Sequence, residues 1–201
     1  MDLGVLLTAF ATIAPVELPD KTFVATLVLA TRYRPLPVWL GVLGAFIVQC
    51  GVAVAAGSLL SLLPERPVQA AAALLFAAGA VVLFLSARKA DAEEKEQEQE
   101  YASKIRDHKT GWRAAATSFV VLFTAEWGDL SQLLTAGLVA RTEEPLSVFA
   151  GSLLALALVS GAAVVLGRAL VKRISLVLVR YLGALVCVAL AVVTVISVVR
   201  G

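Results

Sequence analysis

Six apolar stretches, separated by short charged or proline-containing segments, leave this chain few folds to adopt. A bilayer core about 30 Å thick is crossed by roughly 20 apolar residues of helix, so each stretch is long enough to span a membrane. The 201 residues, 60% of them hydrophobic, hold six such spans and leave no room for a separate soluble domain. The predicted spans run at residues 3–31, 36–63, 67–87, 114–140, 145–167 and 174–199.

The spans are predicted to be helices, because runs such as residues 70–85 lack the alternating pattern of a membrane β-barrel. The fold class predicted here is therefore an all-α integral membrane protein with six transmembrane helices. Cys50 and Cys187 both fall inside apolar stretches, which indicates small core residues rather than a disulfide or a thiolate metal site.

Successive loops of a multi-pass protein lie on alternating sides of the membrane, which divides the loops into two sets. Lys and Arg are distributed unequally between these two sets. The set that includes the charged loop 88–113 carries thirteen of them, and the other set carries three. Because cytoplasmic loops are enriched in Lys and Arg, this loop is predicted to be cytoplasmic and both termini extracytoplasmic. The expected location is the cell inner membrane, and the net charge of +2 gives no argument for nucleic acid as a partner.

The chain contains an internal repeat. Residues 10–32 align with residues 119–141 at a constant offset of 109. Residues 35–41 align with residues 145–151 at an offset that is larger by one residue. Because each unit holds three spans, an odd number, the second copy enters the membrane from the opposite side. Inverted repeats are typical of secondary transporters, although a duplicated helical hairpin without a transport role is the alternative. The predicted units are two inverted three-helix repeats and the loop between them: 1–87, 88–113 and 114–201.

The repeat places one pair of carboxylates in the middle of the first span and another in the middle of the fourth. The pairs are Glu17 with Asp20 and Glu126 with Asp129. A charged carboxylate at the bilayer centre costs on the order of 3 kcal/mol, so four of them demand compensation. The i, i+3 spacing puts both acids of a pair on one helix face, and we expect the two faces to converge on one metal site.

Neutral oxygen donors flank these acids. Oxygen ligands suit Ca²⁺, Mn²⁺ or Mg²⁺, whereas Zn²⁺ and Cu⁺ favour His, Cys or Met. The predicted spans contain no His and no Met beyond Met1, so the softer ions are disfavoured. The flanking donors are Thr22, Gln49, Thr124, Ser131 and Gln132.

Three residues inside the motifs distinguish the two copies. Pro19 and Gly128 lie between the acids of their pairs, where they can interrupt the helix and free backbone carbonyls for an ion. A simple packing kink is the alternative for Pro19. Lys21, whose counterpart is Leu130, either pairs with Glu17 four residues earlier or extends toward a water-filled vestibule.

Carboxylates crowded at one place repel one another, so the site is expected to hold one or more protons when no cation is bound. Entry of a divalent cation would expel them, which is the physical basis of proton-coupled exchange. Protons are then the coupling ion, the cation is the substrate, and no permanently bound cofactor is expected.

The segments ELPDKT, from Glu17, and EWGDLS, from Glu126, resemble the duplicated E-x-G-D-[KR]-[TS] signature of the Gdt-type family of manganese and calcium transporters coupled to protons. The resemblance covers the whole chain. It implies a cation site at the four acids with Thr22 and Ser131, and export of Mn²⁺ or, as second choice, Ca²⁺. Pro19 and Leu130 depart from the signature, which leaves the ion preference and the charge partner of the second motif open.

Other functions stay open. An exporter of a small organic cation or amino acid would need a roomier, partly aromatic pocket, and Trp127 is the one aromatic residue beside an acid pair. No nucleophile or cofactor signature supports an enzyme. A non-transporting membrane scaffold would tolerate neutral replacement of all four acids. The lipid bilayer is the predicted partner, and small residues such as Gly41 permit close packing within one chain or in a homo-oligomer.

Overall fold

The computed structural model of the chain describes residues 1–17, 21–87, 96, 99, 110–171 and 176–200. Within these residues the chain forms eight helices and no strands, which confirms the predicted all-α class. Pro19, Asp20 and most of the charged loop 88–113 lie outside the described residues. The helices are α1 (Leu3–Glu17), α2 (Lys21–Arg32), α3 (Pro35–Leu60), α4 (Glu65–Ala87), α5 (Trp112–Ala125), α6 (Leu130–Thr142), α7 (Pro145–Val171) and α8 (Leu176–Arg200).

The long helices of the described chain fit a multi-pass membrane protein. Four of them are long and apolar enough to cross a bilayer, at Pro35–Leu60, Arg66–Ala87, Pro145–Val165 and Arg180–Val199. The pair α1 and α2 passes the same test as a fifth span, bent by 67° at its break. The fourth predicted span is also divided, because α5 ends at Ala125 and α6 begins at Leu130.

Large apolar side chains lie on the outer faces of the long helices. Leu40, Val52, Leu85, Leu154 and Val188 are all exposed. A soluble protein rarely leaves such a surface open to water, whereas lipid tails cover it without cost. The inside of the bundle holds the large buried side chains instead, including Phe23, Phe46, Phe76, Leu122 and Leu134.

Two glycines allow close packing between the halves of the chain. A Cβ atom at Gly41 of α3 would collide with the backbone carbonyl of Ala115 in α5. A Cβ atom at Gly151 of α7 would collide in the same way with the carbonyl of Leu6 in α1. Gly41 aligns with Gly151 in the repeat, and Leu6 aligns with Ala115. The packing of α3 on α5 is therefore repeated by the packing of α7 on α1.

Candidate cation site

The second motif lies at a break between two helices. Helix α5 ends with Glu126 as its C-cap, whose N–H donates to the Leu122 carbonyl at 3.0 Å. Gly128 then takes a left-handed backbone conformation with φ of +77°. This backbone conformation costs residues with a Cβ atom roughly 1–2 kcal/mol, whereas glycine adopts it readily, so glycine suits this turn. The predicted interruption of the helix at Gly128 is confirmed.

Asp129 restarts the helix as the N-cap of α6. Its Oδ1 accepts a hydrogen bond from the backbone N–H of Gln132 at 3.0 Å, and its Oδ2 accepts one from the Ser131 hydroxyl at 2.8 Å. These bonds satisfy a helix-end donor and hold the carboxylate in one orientation. Asp129 therefore has a structural role in addition to its negative charge.

The side-chain amides of Gln49 and Gln132 connect this break to α3 by hydrogen bonds. Gln132 Oε1 accepts the Gly128 N–H at 2.9 Å, and Gln132 Nε2 donates to the Gln49 carbonyl at 3.5 Å. Gln49 Nε2 donates to the Phe123 carbonyl at 3.2 Å. Because a backbone N–H only donates and a backbone carbonyl only accepts, the orientation of both side-chain amides follows from these contacts.

A small cavity of about 10 Å³ lies at this break, about the space that one water molecule or one bare ion needs. It brings together five of the side chains predicted from sequence. Glu126, only 2% exposed, lines it together with residues of α3, α6 and α7. The oxygen-bearing side chains that line the cavity are Gln49, Glu126, Asp129, Ser131, Gln132 and Thr135.

The two described site residues of the first motif, Glu17 and Thr22, are buried. Glu17 ends α1 and Thr22 lies in the first turn of α2, each with 1% of its surface exposed. The hydroxyls of Thr22 and Thr26 have no hydrogen-bond partner among the described residues. Asp20 and the side chain of Lys21 lie outside those residues, so the pairing of Lys21 with Glu17 stays a prediction.

Helix α3 packs against α2, which begins in the first motif, and against α5 and α6, which flank the second motif. However, the described residues contain no group of three or more His, Cys, Asp or Glu side chains that could hold a metal ion. The convergence of all four acids on one ion therefore stays a prediction.

Sequence reasoning missed several residues at the cavity. Thr135 lines it from α6 and donates to the Ser152 hydroxyl at 3.2 Å. Its spacing of four residues from Ser131, on the same helix face, was a usable signal. The apolar lining has no comparable signal, since only helix packing brings it there. It consists of Phe46, Cys50, Ala53 and Leu156.

Two residues beside the second motif point away from the cavity. Thr124 does not line the cavity, and its hydroxyl donates to the Val120 carbonyl of its own helix at 2.8 Å, so its role as a neighbouring oxygen donor stays a prediction. Trp127 is 57% exposed and packs on Phe123, with ring centroids 5.0 Å apart. It does not give the cavity an aromatic wall.

Comparison with known proteins identifies the family. Residues 5–91 and 114–201 match the family described as divalent cation/proton antiporter GDT1. The chain belongs to the GDT1 family. The resemblance seen in the two motifs is thereby confirmed, and the protein is a cation transporter of the membrane rather than an enzyme.

Several relatives align with most of this GDT1-family chain. A GDT1-like protein of Synechocystis is 32% identical over 94% of this chain and 97% of its own length. The chloroplastic GDT1-like protein 1 of Oryza sativa subsp. indica is 35% identical over 100% of this chain and 65% of its own. The chloroplastic protein PAM71 of Arabidopsis thaliana is 30% identical over 98% of this chain and 59% of its own. No solved structure gives a significant match.

Proposed function

We propose that this chain exports a divalent cation from the cytoplasm in exchange for protons, with Mn²⁺ as the first choice and Ca²⁺ as the second. The observation that carries the proposal is the cavity at the second break, where carboxylate, carboxamide and hydroxyl oxygens surround about 10 Å³. Hard divalent cations prefer such oxygen ligands. Pockets for small organic ligands are on the order of 300–1,000 Å³, so the cavity supports an inorganic ion.

The proposed ligands are the acids of both motifs. Glu126 and Asp129 line the cavity, and Glu17 lies buried at the end of α1. The repeat adds Asp20 as the counterpart of Asp129. Lys21 is the proposed charge partner of Glu17. Thr22, Gln49, Ser131 and Gln132 are the proposed auxiliary oxygen donors.

The exchange of the cation for protons follows from the free-energy cost of holding several negative charges close together and away from water. Carboxylates near one another in the bilayer repel one another and take up protons when no cation is present. A divalent cation that enters displaces these protons, and protons that return from the opposite side displace the cation. The proton gradient of the membrane thus drives the cation outward, without a permanently bound cofactor.

The proposed architecture is six spans in two inverted repeats of three, with α1–α2 and α5–α6 as the two broken spans. The repeated glycine contacts of Gly41 with Ala115 and of Gly151 with Leu6 support a two-fold relation between the halves. The distribution of Lys and Arg supports a cytoplasmic 88–113 loop and termini on the outer side of the inner membrane.

The test is ion flux into proteoliposomes that carry a pH step, with Mn²⁺ and Ca²⁺ compared side by side. We expect one of the ions to move with proton counterflow, and the faster ion is the preferred substrate. Glu126→Gln should lower the rate by more than about tenfold, since it removes a charged ligand. Thr124→Val, which alters a hydroxyl outside the cavity, is the control and should keep the wild-type rate. Failure of folded wild-type protein to move either ion would overturn the proposal.

A further inference from the structure

An apolar groove of about 620 Å³ lies between the start of α3 and the second half of α7. None of the residues that line it also lines the candidate cation site. Ala157, Gly161 and Ala162 of α7 are small, whereas Leu36 and Val165, which also line the groove, have most of their surface exposed. The groove therefore opens on the surface of the bundle that lipid covers.

Trp39 is held in one orientation in this groove. Its Nε1 donates a hydrogen bond to the Ala157 carbonyl at 3.1 Å. A Cβ atom at Gly161 would lie 3.3 Å from the same nitrogen, so glycine leaves room for the indole. Because the indole N–H is satisfied, the rest of the ring contributes apolar surface. The indole also covers Gly161, so the small residues of α7 are not free to pack closely against another helix.

The groove is about as long as the hydrocarbon of one lipid leaflet. Its lining on α7 extends from Ala157 to Val165, which is about 12 Å at a rise of 1.5 Å per residue. One leaflet supplies about half of a bilayer core of about 30 Å. One acyl chain can therefore lie along α7, from the membrane surface inward.

The end of the groove at the membrane surface is basic. Arg34 is the N-cap of α3, directly before the groove residue Pro35, and its side chain is exposed. Arg32, also exposed, ends α2 two residues earlier. The N-terminus of α3 adds the partial positive charge of the helix dipole. This end of the groove therefore attracts a negatively charged group.

The corresponding positions of the other repeat have a different character. Pro145, the counterpart of Pro35, follows Glu144 instead of an arginine, and Phe149 replaces Trp39. Gly51, the counterpart of Gly161, has no atom within 4 Å of an added Cβ, so no ring covers it. The basic charge and the fixed indole thus occur together at the end of α3 that is predicted to be cytoplasmic. Anionic lipid headgroups on that side of a membrane attract basic segments.

We propose that this groove binds an anionic phospholipid of the cytoplasmic leaflet. One acyl chain lies along α7 beside Trp39, and the phosphate lies at Arg34 and Arg32. Basic pockets between transmembrane helices suit such headgroups. The lipid bridges α3 of the first repeat and α7 of the second, so it stabilises the contact between them. This inference goes beyond the proposed function, because it does not depend on which ion is transported.

The fluorescence of Trp39 tests the proposal in the whole chain. Trp112→Phe and Trp127→Phe together leave Trp39 as the single tryptophan. This protein is reconstituted into vesicles of phosphatidylcholine and phosphatidylglycerol, in which one lipid at a time carries bromine atoms on its acyl chains. Bromine quenches tryptophan fluorescence on contact, so the two quenching curves give the preference of the groove for phosphatidylglycerol. Thermal unfolding checks that each variant is folded.

We expect the groove to prefer phosphatidylglycerol at least fivefold. Arg34→Gln should lower this preference about fivefold, the effect of one basic residue near an anionic surface, and Arg34→Lys should keep most of it. Arg113→Gln is the matched control, because it removes an exposed charge from the first turn of α5 and Arg113 does not line the groove. It should change the preference by less than about twofold.

A second pair of variants tests the place of the acyl chain. Ala162→Phe fills the groove and should lower the quenching by brominated phosphatidylglycerol at least about twofold. Ala56→Phe adds the same ring to an exposed position of α3 outside the groove and should leave the quenching unchanged.

Two results would overturn the proposal. If brominated phosphatidylglycerol and phosphatidylcholine quench Trp39 equally in the folded protein, the groove holds bulk lipid without selection. If neither lipid quenches Trp39, the groove is closed to lipid, and a dimer cross-linked through Ala162→Cys would assign it to a second copy of the chain. Neither result bears on the transported ion.

Discussion

Asp129 shows how one side chain can serve both folding and function. Its two oxygens accept hydrogen bonds from the Gln132 N–H and the Ser131 hydroxyl, which cap α6 and hold the carboxylate toward the cavity. Asn caps a helix about as well as Asp, whereas Ala does not. The structural and the electrostatic role of this residue can therefore be separated by substitution.

Asp129→Asn is expected to keep the stability of the protein and to lose cation binding, because the cap survives while the charge does not. Asp129→Ala should lose binding and also about 1 kcal/mol of stability, the usual cost of removing an N-cap. Unfolding in detergent and Mn²⁺ binding, measured on the same samples, distinguish the two effects. If Asp129→Asn binds Mn²⁺ as tightly as the wild type, the carboxylate is a cap and no ligand.

Gly128 and Pro19 are aligned residues with different conformational freedom. Gly128 adopts φ of +77°. Glycine takes positive φ at little cost, whereas proline holds φ near −65°. The two motif sequences therefore differ at the position where the second motif turns.

At the scale of helices, packing depends on a few positions without a side chain. Gly41 lets α3 approach the carbonyl of Ala115 in α5, and Gly151 does the same for α7 against Leu6. Helix association in lipid depends on such close contacts, because lipid tails solvate apolar side chains as well as protein does. These contacts hold α1 and α5, whose last residues lead into the two motifs.

Gly41→Ala is expected to destabilise the bundle by roughly 1–3 kcal/mol, because its Cβ would collide with backbone that cannot move aside. Gly51→Ala is the matched control, because Gly51 lies on the same helix and no atom lies within 4 Å of the Cβ that the substitution adds. It should leave the melting temperature unchanged or raise it, since alanine favours a helix. Equal melting temperatures for the two variants would show that the contact at Gly41 carries no stability.

At the scale of the whole molecule, function depends on which side each loop faces. The two cysteines are buried and are expected to react slowly, so a variant with Cys50→Ala and Cys187→Ala is a suitable background for labelling. Leu62, at the turn between α3 and α4, is 80% exposed. Glu96 lies in the charged loop and is also exposed.

In that background, Leu62→Cys should react with a membrane-impermeant maleimide in intact cells, and Glu96→Cys should react only after the membrane is permeabilised. The reason is the concentration of Lys and Arg in loops on the cytoplasmic side. The cysteine-free parent controls for background labelling. The opposite pattern would reverse the orientation of the protein and with it the direction of the proposed export.

The sequence alone determined the helical class, the apolar segments and the two acidic motifs. These features depend on composition and on spacing within one segment, which the bilayer constrains strongly. The family also follows from the motifs, because their residues are contiguous. Even the break at Gly128 could be predicted, since glycine between two acids in a span is a local signal.

Only the tertiary structure decided which side chains meet. Gln49 and Gln132 lie far apart in sequence, and the packing of α3 against α5 and α6 brings both to one cavity. Thr124 lies next to the motif in sequence, yet it does not line the cavity. Local pattern places a residue on a helix, but the angle and distance between helices place its oxygen atoms.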